Sequence, residues 1–136
     1  MCESTENKKR YLRRYLEAEY YIRCLEEDLN MEISAYTLRS QRFDDMPHAS
    51  GSNSADLANM AVKFDEMMAE IRREVARKYA IKQEIITRIN RMDNEREKSV
   101  LYYRYIHGLE WDEIGKRMYY SVKHVQRIHG SALLHF

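Results

Sequence analysis

Two stretches of this chain, 6–33 and 57–92, return an apolar side chain every three or four residues, and neither contains a proline or a glycine. In the first the stripe is Tyr11, Tyr15, Ala18, Ile22, Leu25 and Leu29; in the second it is Leu57, Ala61, Phe64, Met68, Ile71, Val75, Ile85, Ile89 and Met92. That spacing puts each set on one face of a helix, so the chain is built around two long amphipathic helices. Lys78 and Lys82 stand in the middle of the second seam and interrupt it. Two arrangements satisfy the stripes: an antiparallel hairpin within one chain, or a coiled coil between copies, since each helix is longer than one short domain needs.

Composition agrees with helix. One proline and four glycines stand against many Glu, Lys, Arg, Met and Leu, whose straight side chains lose little rotamer freedom in a helix. Eleven tyrosines beside three phenylalanines suit half-buried helix faces, where the ring packs and the hydroxyl stays wet. The only proline lies in SQRFDDMPHASGSNS, so a linker is expected at about 40–54. It reads as a mostly loose loop, with a crossover packed by Phe43 and Met46 as the alternative. Ser54 is a candidate N-cap for the second helix, and Asp56 suits its positive end.

A length of 136 residues buries a core without metal or disulfide staples but is short for an elaborate enzyme. Cys2 and Cys24 are far apart and form no CxxC, so neither a zinc site nor a disulfide framework is expected. No apolar run approaches the roughly 20 residues of a membrane span, and MCESTENKKR lacks a secretory core, so a soluble cytoplasmic protein is expected. The formal charge of +1 means that any nucleic-acid surface must be local.

Such a local surface is legible in the last third. Asn94 with Glu97 forms a capping-box pattern, Val100, Leu101, Tyr103, Arg104, Tyr105 and Ile106 follow, and Gly108 supplies a C-cap, which predicts a third helix over about 95–107. Beyond it, Trp111, Ile114 and Met118 share one face of a short helix, Gly115 permits close approach of a second, and Ser121 caps that second helix. Val125, Ile128, Ala132 and Leu133 form its inward face. Lys123, His124, Gln126 and Arg127 are left outward on its first turns, and no acidic residue occurs from Ile114 to the end. A helix end of this kind fits a major groove: Arg or Lys reaches guanine, Gln reaches adenine, and backbone amides meet phosphate.

NEREKSVLYYRYIHGLEWDEIGKRMYYSVKHVQRIHGSAL resembles region 4 of sigma factors, which binds the upstream promoter hexamer. The resemblance rests on the E-R-E before an apolar run, R-Y-I-H-G at 104–108, D-E-I-G at 112–115, Ser121, Val125 and A-L at 132–133, and covers about the last third of the chain. It implies that Ser121 caps the recognition helix, that Val122, Lys123 and Arg127 face base edges, that His124 and Gln126 lie near phosphate, and that Lys116 and Arg117 touch the DNA backbone. The sequence departs where the family usually has glycine at the turn and Tyr119 stands instead. Either the turn is built differently or the angle on DNA changes. Val122 departs as well, since it can meet only a thymine methyl.

The order of tyrosine-rich helix, MPHASGS linker, second long helix and sigma-like tail looks like the small phage and prophage transcriptional regulators of the ArpU and RinA-like kind. That resemblance implies control of late or packaging genes in a bacterial host cell. The implied fold is all-α: two long amphipathic helices in a hairpin or coiled coil, then a three-helix sigma region 4-like helix-turn-helix. Domains follow as a helical oligomerisation or scaffold region at 1–92 and a DNA-binding domain at 93–136. Double-stranded DNA is the expected partner, with RNA polymerase as a further one and a homo-oligomer through the long helices.

Rival chemistry finds little support. His124 and His129 are five residues apart, a spacing that splays helical metal ligands, so no metal is expected. Cys24 and the serines lack a partnering base, there is no glycine-rich phosphate loop, and neither catalysis nor a cofactor is expected. The alternatives are a module that binds polymerase or a sigma factor, or the small DNA-recognition subunit of a phage packaging machine.

Overall fold

The computed structural model describes residues 3–44 and 52–136. The chain forms α1 (Thr5–Asp44), α2 (Ser52–Asn90), α3 (Glu95–Leu101), α4 (Trp111–Met118) and α5 (Val122–His135). Among the described residues there is no strand. The all-α expectation holds, and its two long helices are 40 and 39 residues.

α1 begins at a serine cap, where Ser4 Oγ accepts from the Asn7 amide at 3.2 Å. It runs to Asp44, past the expected start of the linker, because nothing from Ser34 to Asp44 breaks a helix. Thr37, a weak helix former, satisfies its hydroxyl within the helix by donating to the Ile33 carbonyl at 2.9 Å. α2 begins at Ser52, so Ser54 and Asp56 lie in its first turns and Ser54 is not the cap. The side chain of Phe43 and residue Met46, offered as packing for a crossover, lie outside the described residues.

The chain divides into two compact units. One comprises residues 20–76, the end of α1 and the start of α2. Here the helices are paired within the chain: Tyr36 meets Phe64 edge-on at 6.1 Å, Lys63 pairs with Glu32 at 2.9 Å, and the Tyr21 hydroxyl donates to Glu70 at 3.3 Å. From the pair Tyr21 and Glu70 to the pair Glu32 and Lys63 the number rises along α1 and falls along α2, the sense of an antiparallel hairpin.

The other unit comprises residues 1–19 and 77–136. Its main core joins Leu12, Tyr15 and Ala18 of α1, Ile81, Ile85 and Ile89 of α2, then Met92, Leu101, Tyr105, Ile106, Ala132 and Leu133. Ile81, 4% exposed, takes the core position beside Lys78 and Lys82, one residue out of the register that those lysines interrupt. The 92/93 boundary expected from the sequence falls inside this unit.

α3 starts at Asn94, whose side chain accepts from the amides of Arg96 and Glu97. That is half of a capping box, because Glu97 turns away from the cap. Its carboxylate, 4% exposed, accepts from Ser131 Oγ at 2.7 Å and contacts His135 Nδ1 at 2.8 Å, tying α3 to the far end of α5. Beyond Leu101 the expected helix continues as a π-helical turn, Tyr102–Ile106, with the His107 amide reaching Tyr102 O at 3.1 Å. Gly108 ends it at φ +70°, a left-handed conformation that a Cβ would strain.

Candidate nucleic-acid interface

The helix-turn-helix has its own small core: Val100, Ile114 and Val125, each fully buried, ringed by Tyr103, Leu109, Trp111, Met118, Tyr120 and Ile128. Val125 and Ile128 therefore hold the inward face of α5 at its first turns, as their spacing requires. Further along, Ala132 and Leu133 enter the larger core.

Tyr119 closes α4 in the left-handed conformation, φ 59° and ψ 41°, and the Tyr120 amide donates to the Gly115 carbonyl at 2.9 Å. This six-to-one bond is a Schellman closure, so the turn is the ordinary glycine-type turn with a tyrosine in the glycine's place. Of the two possibilities left by the sequence, a differently built turn is set aside. Gly115 is fixed by the same crossing, since a Cβ there would lie 2.7 Å from the Tyr120 carbonyl oxygen. Ser121 then caps α5 as expected, its Oγ accepting from the His124 amide at 3.2 Å. The amides of α5's first turn point outward with the positive end of the helix dipole behind them.

Of the residues expected to face DNA, Lys116, Arg117, Ser121, Val122, Lys123, Gln126 and Arg127 are all exposed. Lys123, Gln126 and Arg127 stand on the first two turns of α5, opposite the buried Val125. Val122 is 40% exposed beside them. Arg117 sits one helix back and is partly engaged, its Nε 3.3 Å from Glu113. His124 is half-buried, its ring edge-on against Tyr120 at 4.6 Å.

Arg96 lies outside the set of residues expected at the interface. It is exposed on the first turn of α3, and its guanidinium lies 5.9 Å from the Tyr120 ring, the same ring that holds His124. This places a further cationic group beside the N-terminal turn of α5. The E-R-E signature contains it, but nothing in the spacing alone carries α3 to that turn.

The histidines that invited a metal reading go to separate tasks. His129 is 8% exposed, 2.7 Å from the Tyr105 hydroxyl and edge-on to Trp111 at 4.7 Å. Burial, then the charges of Lys9, Arg104 and Arg13, push its pKa down to about 4, so the ring is neutral. Arg104 covers the other neighbour, lying 4.2 Å over the Trp111 ring while it donates to Leu109 O at 3.1 Å. His135 serves Glu97, whose pKa burial raises, while the Ser131 and His135 hydrogen bonds and the charge of His135 together bring it below the ordinary carboxylate value. Among the described residues no three His, Cys, Asp or Glu side chains gather as a metal site, and no helix is long and apolar enough to cross a membrane.

The far end of α5 is clamped by the long helices. Lys8 Nζ donates to the Leu133 carbonyl at 2.7 Å, and Arg88 donates to Phe136 O at 3.1 Å while lying 4.1 Å over the Phe136 ring. Cations at a helix C-terminus oppose its negative dipole end, so both ends of α5 are fixed by side chains. No curated protein and no solved structure gives a significant match to the chain. Residues 94–135, the segment just described from its Asn94 cap to the end of α5, match the family described as Sigma-70, region 4, and form a helix-turn-helix of that kind.

Proposed function

We propose that this chain is a sequence-specific DNA-binding transcriptional regulator that reads the major groove with the first two turns of α5. The observation that carries the reading is the placement of Lys123, Gln126 and Arg127, all exposed, on a helix whose N-terminus is capped and whose inward face is buried. Lys116, Arg117 and the newly placed Arg96 supply backbone contacts around it, with Ser121, Val122 and His124 at the entering turn. The protein works by binding, without catalysis or cofactor, as a small phage or prophage regulator of late or packaging genes in the bacterial cytoplasm. Its long helices bring copies together, and RNA polymerase is a second partner of the tail.

Selection of bound duplexes from random sequence at fixed salt tests binding and site symmetry together. Lys123→Ala with Arg127→Ala is then expected to weaken the selected site by about 100-fold or more, at about 1–3 kcal/mol per base contact, with helical content unchanged. Arg96→Ala is expected to weaken all duplexes alike and to reduce the salt slope by about 1. Unchanged duplex affinity in the double variant would overturn DNA reading and leave the tail as a polymerase-binding module.

A further inference from the structure

Within residues 20–76 the paired helices leave themselves thinly covered. Ile22 is the one buried hydrophobic residue described there, and in α2 Phe64, Met67, Ile71 and Val75 are only half-buried. Beside that α1-facing side, a helix turning about 100° per residue gathers Ala58, Ala61, Val62, Met68, Ala69 and Ala76 into one further sector. Val62 and Met68 are 56% and 46% exposed. An apolar helix face of this width calls for cover.

Two charged residues fall within the sector, Asp65 and Arg72. Both are exposed, they are opposite in sign, and neither makes an ion pair among the described residues. They lie two helical turns apart, with Met68 and Ala69 between them.

We propose that this sector packs antiparallel against the same sector of a second copy, about a two-fold axis between Met68 and Ala69. In that register Asp65 faces the partner's Arg72, Arg72 faces the partner's Asp65, Met68 meets the partner's Ala69, and Ala61 meets the partner's Ala76. A parallel, in-register pairing would instead set Asp65 against the partner's Asp65 and Arg72 against the partner's Arg72. The charge order thus selects both the occupant and its direction, the self-complementary pattern that an isologous contact requires. Alanines let the helix axes approach, and two hairpins joined this way form a four-helix arrangement with the core that one hairpin lacks. The inference rests on the self-association proposed above and is independent of DNA reading.

The test is sedimentation of the full chain without DNA. The unaltered protein is expected to dimerise at micromolar concentration. Asp65→Arg and Arg72→Asp, each setting like charges opposite one another twice, are expected to raise the dimer dissociation constant about tenfold or more. The double reversal D65R/R72D restores opposite pairs and is expected to regain most of the lost affinity. Both positions are exposed, so circular dichroism should show unaltered helix in all variants. A chain that stays monomeric at about 100 μM, single reversals that dimerise like the unaltered protein, or a double reversal that does not recover would overturn the proposal. Duplex binding by the single variants at a half-site, measured separately, reports on DNA reading alone.

Discussion

Tyr119 is the one non-glycine residue with positive φ among the described residues, and its side chain, 94% exposed, makes no packing that offsets the strain. A left-handed tyrosine costs about 1–2 kcal/mol, partly balanced by the greater freedom glycine has in the unfolded chain. Tyr119→Gly is therefore expected to stabilise the protein by about 0.5–1 kcal/mol, read as a higher denaturant midpoint. If the ring also touches DNA, the same variant will bind its duplex more weakly, which separates a functional tyrosine from an idle one. Gly115→Ala goes the other way. Its Cβ would press on a backbone oxygen at 2.7 Å, and a loss of about 1–3 kcal/mol is expected from chemical denaturation. His129 makes stability depend on pH. Its folded pKa is about 4 against 6.5 in an unfolded chain, so between those values the unfolded state binds the extra proton. Stability is then complete above pH 6.5 and falls as pH drops toward 4, by about 3 kcal/mol. His129→Gln, which can still bond to the Tyr105 hydroxyl, should flatten that slope; an unchanged slope would show that another group carries it.

Glu97 shows how one side chain joins two elements. The residue belongs by position to the cap of α3, yet it spends its carboxylate on Ser131 and His135 of α5. Hydrogen bonds to a buried charged group are worth about 1.5–3 kcal/mol, so Glu97→Ala should lower stability by about that much at neutral pH while leaving the Asn94 cap in place. Because the folded pKa is depressed below 4.5, this contribution is present above that pH and is lost as the carboxylate protonates. Its window lies mostly below that of His129, and a pH series of denaturant midpoints in the two variants distinguishes them. α5 is thus held at both ends: by Ser121 and the Gly115 crossing at the front, and by Glu97, Lys8 and Arg88 at the back.

The unit that contains the helix-turn-helix also contains the ends of both long helices. Leu101, Tyr105, Ile106, Ala132 and Leu133 share one core with Leu12, Tyr15, Ile81 and Ile85. A fragment restricted to residues 93–136 would expose all five to water and lose the Lys8 and Arg88 clamps. It is expected to melt far below the full chain, with a broadened thermal transition by circular dichroism. A fragment as stable as the whole would show that Val100, Ile114 and Val125 suffice as a core.

Much of the molecule was legible from local pattern alone. Helix periodicity, the Asn94 and Ser121 caps, Gly108 and the outward Lys123, Gln126 and Arg127 all depend on residues within a few positions of one another, so one stretch of chain carries each signal complete. Tyr119 was legible as a departure, and three dimensions resolved it, because only the bond from Tyr120 to Gly115 shows that the usual turn survives. Ile81 was missed because a seam that shifts register has no fixed period. Arg96, the diverted Glu97 and the clamp from Lys8 to Leu133 needed the tertiary structure, since the last pair is separated by 125 positions. Periodicity tells a helix which face to bury but not against what, and partner choice comes from packing between distant segments, which no local pattern encodes.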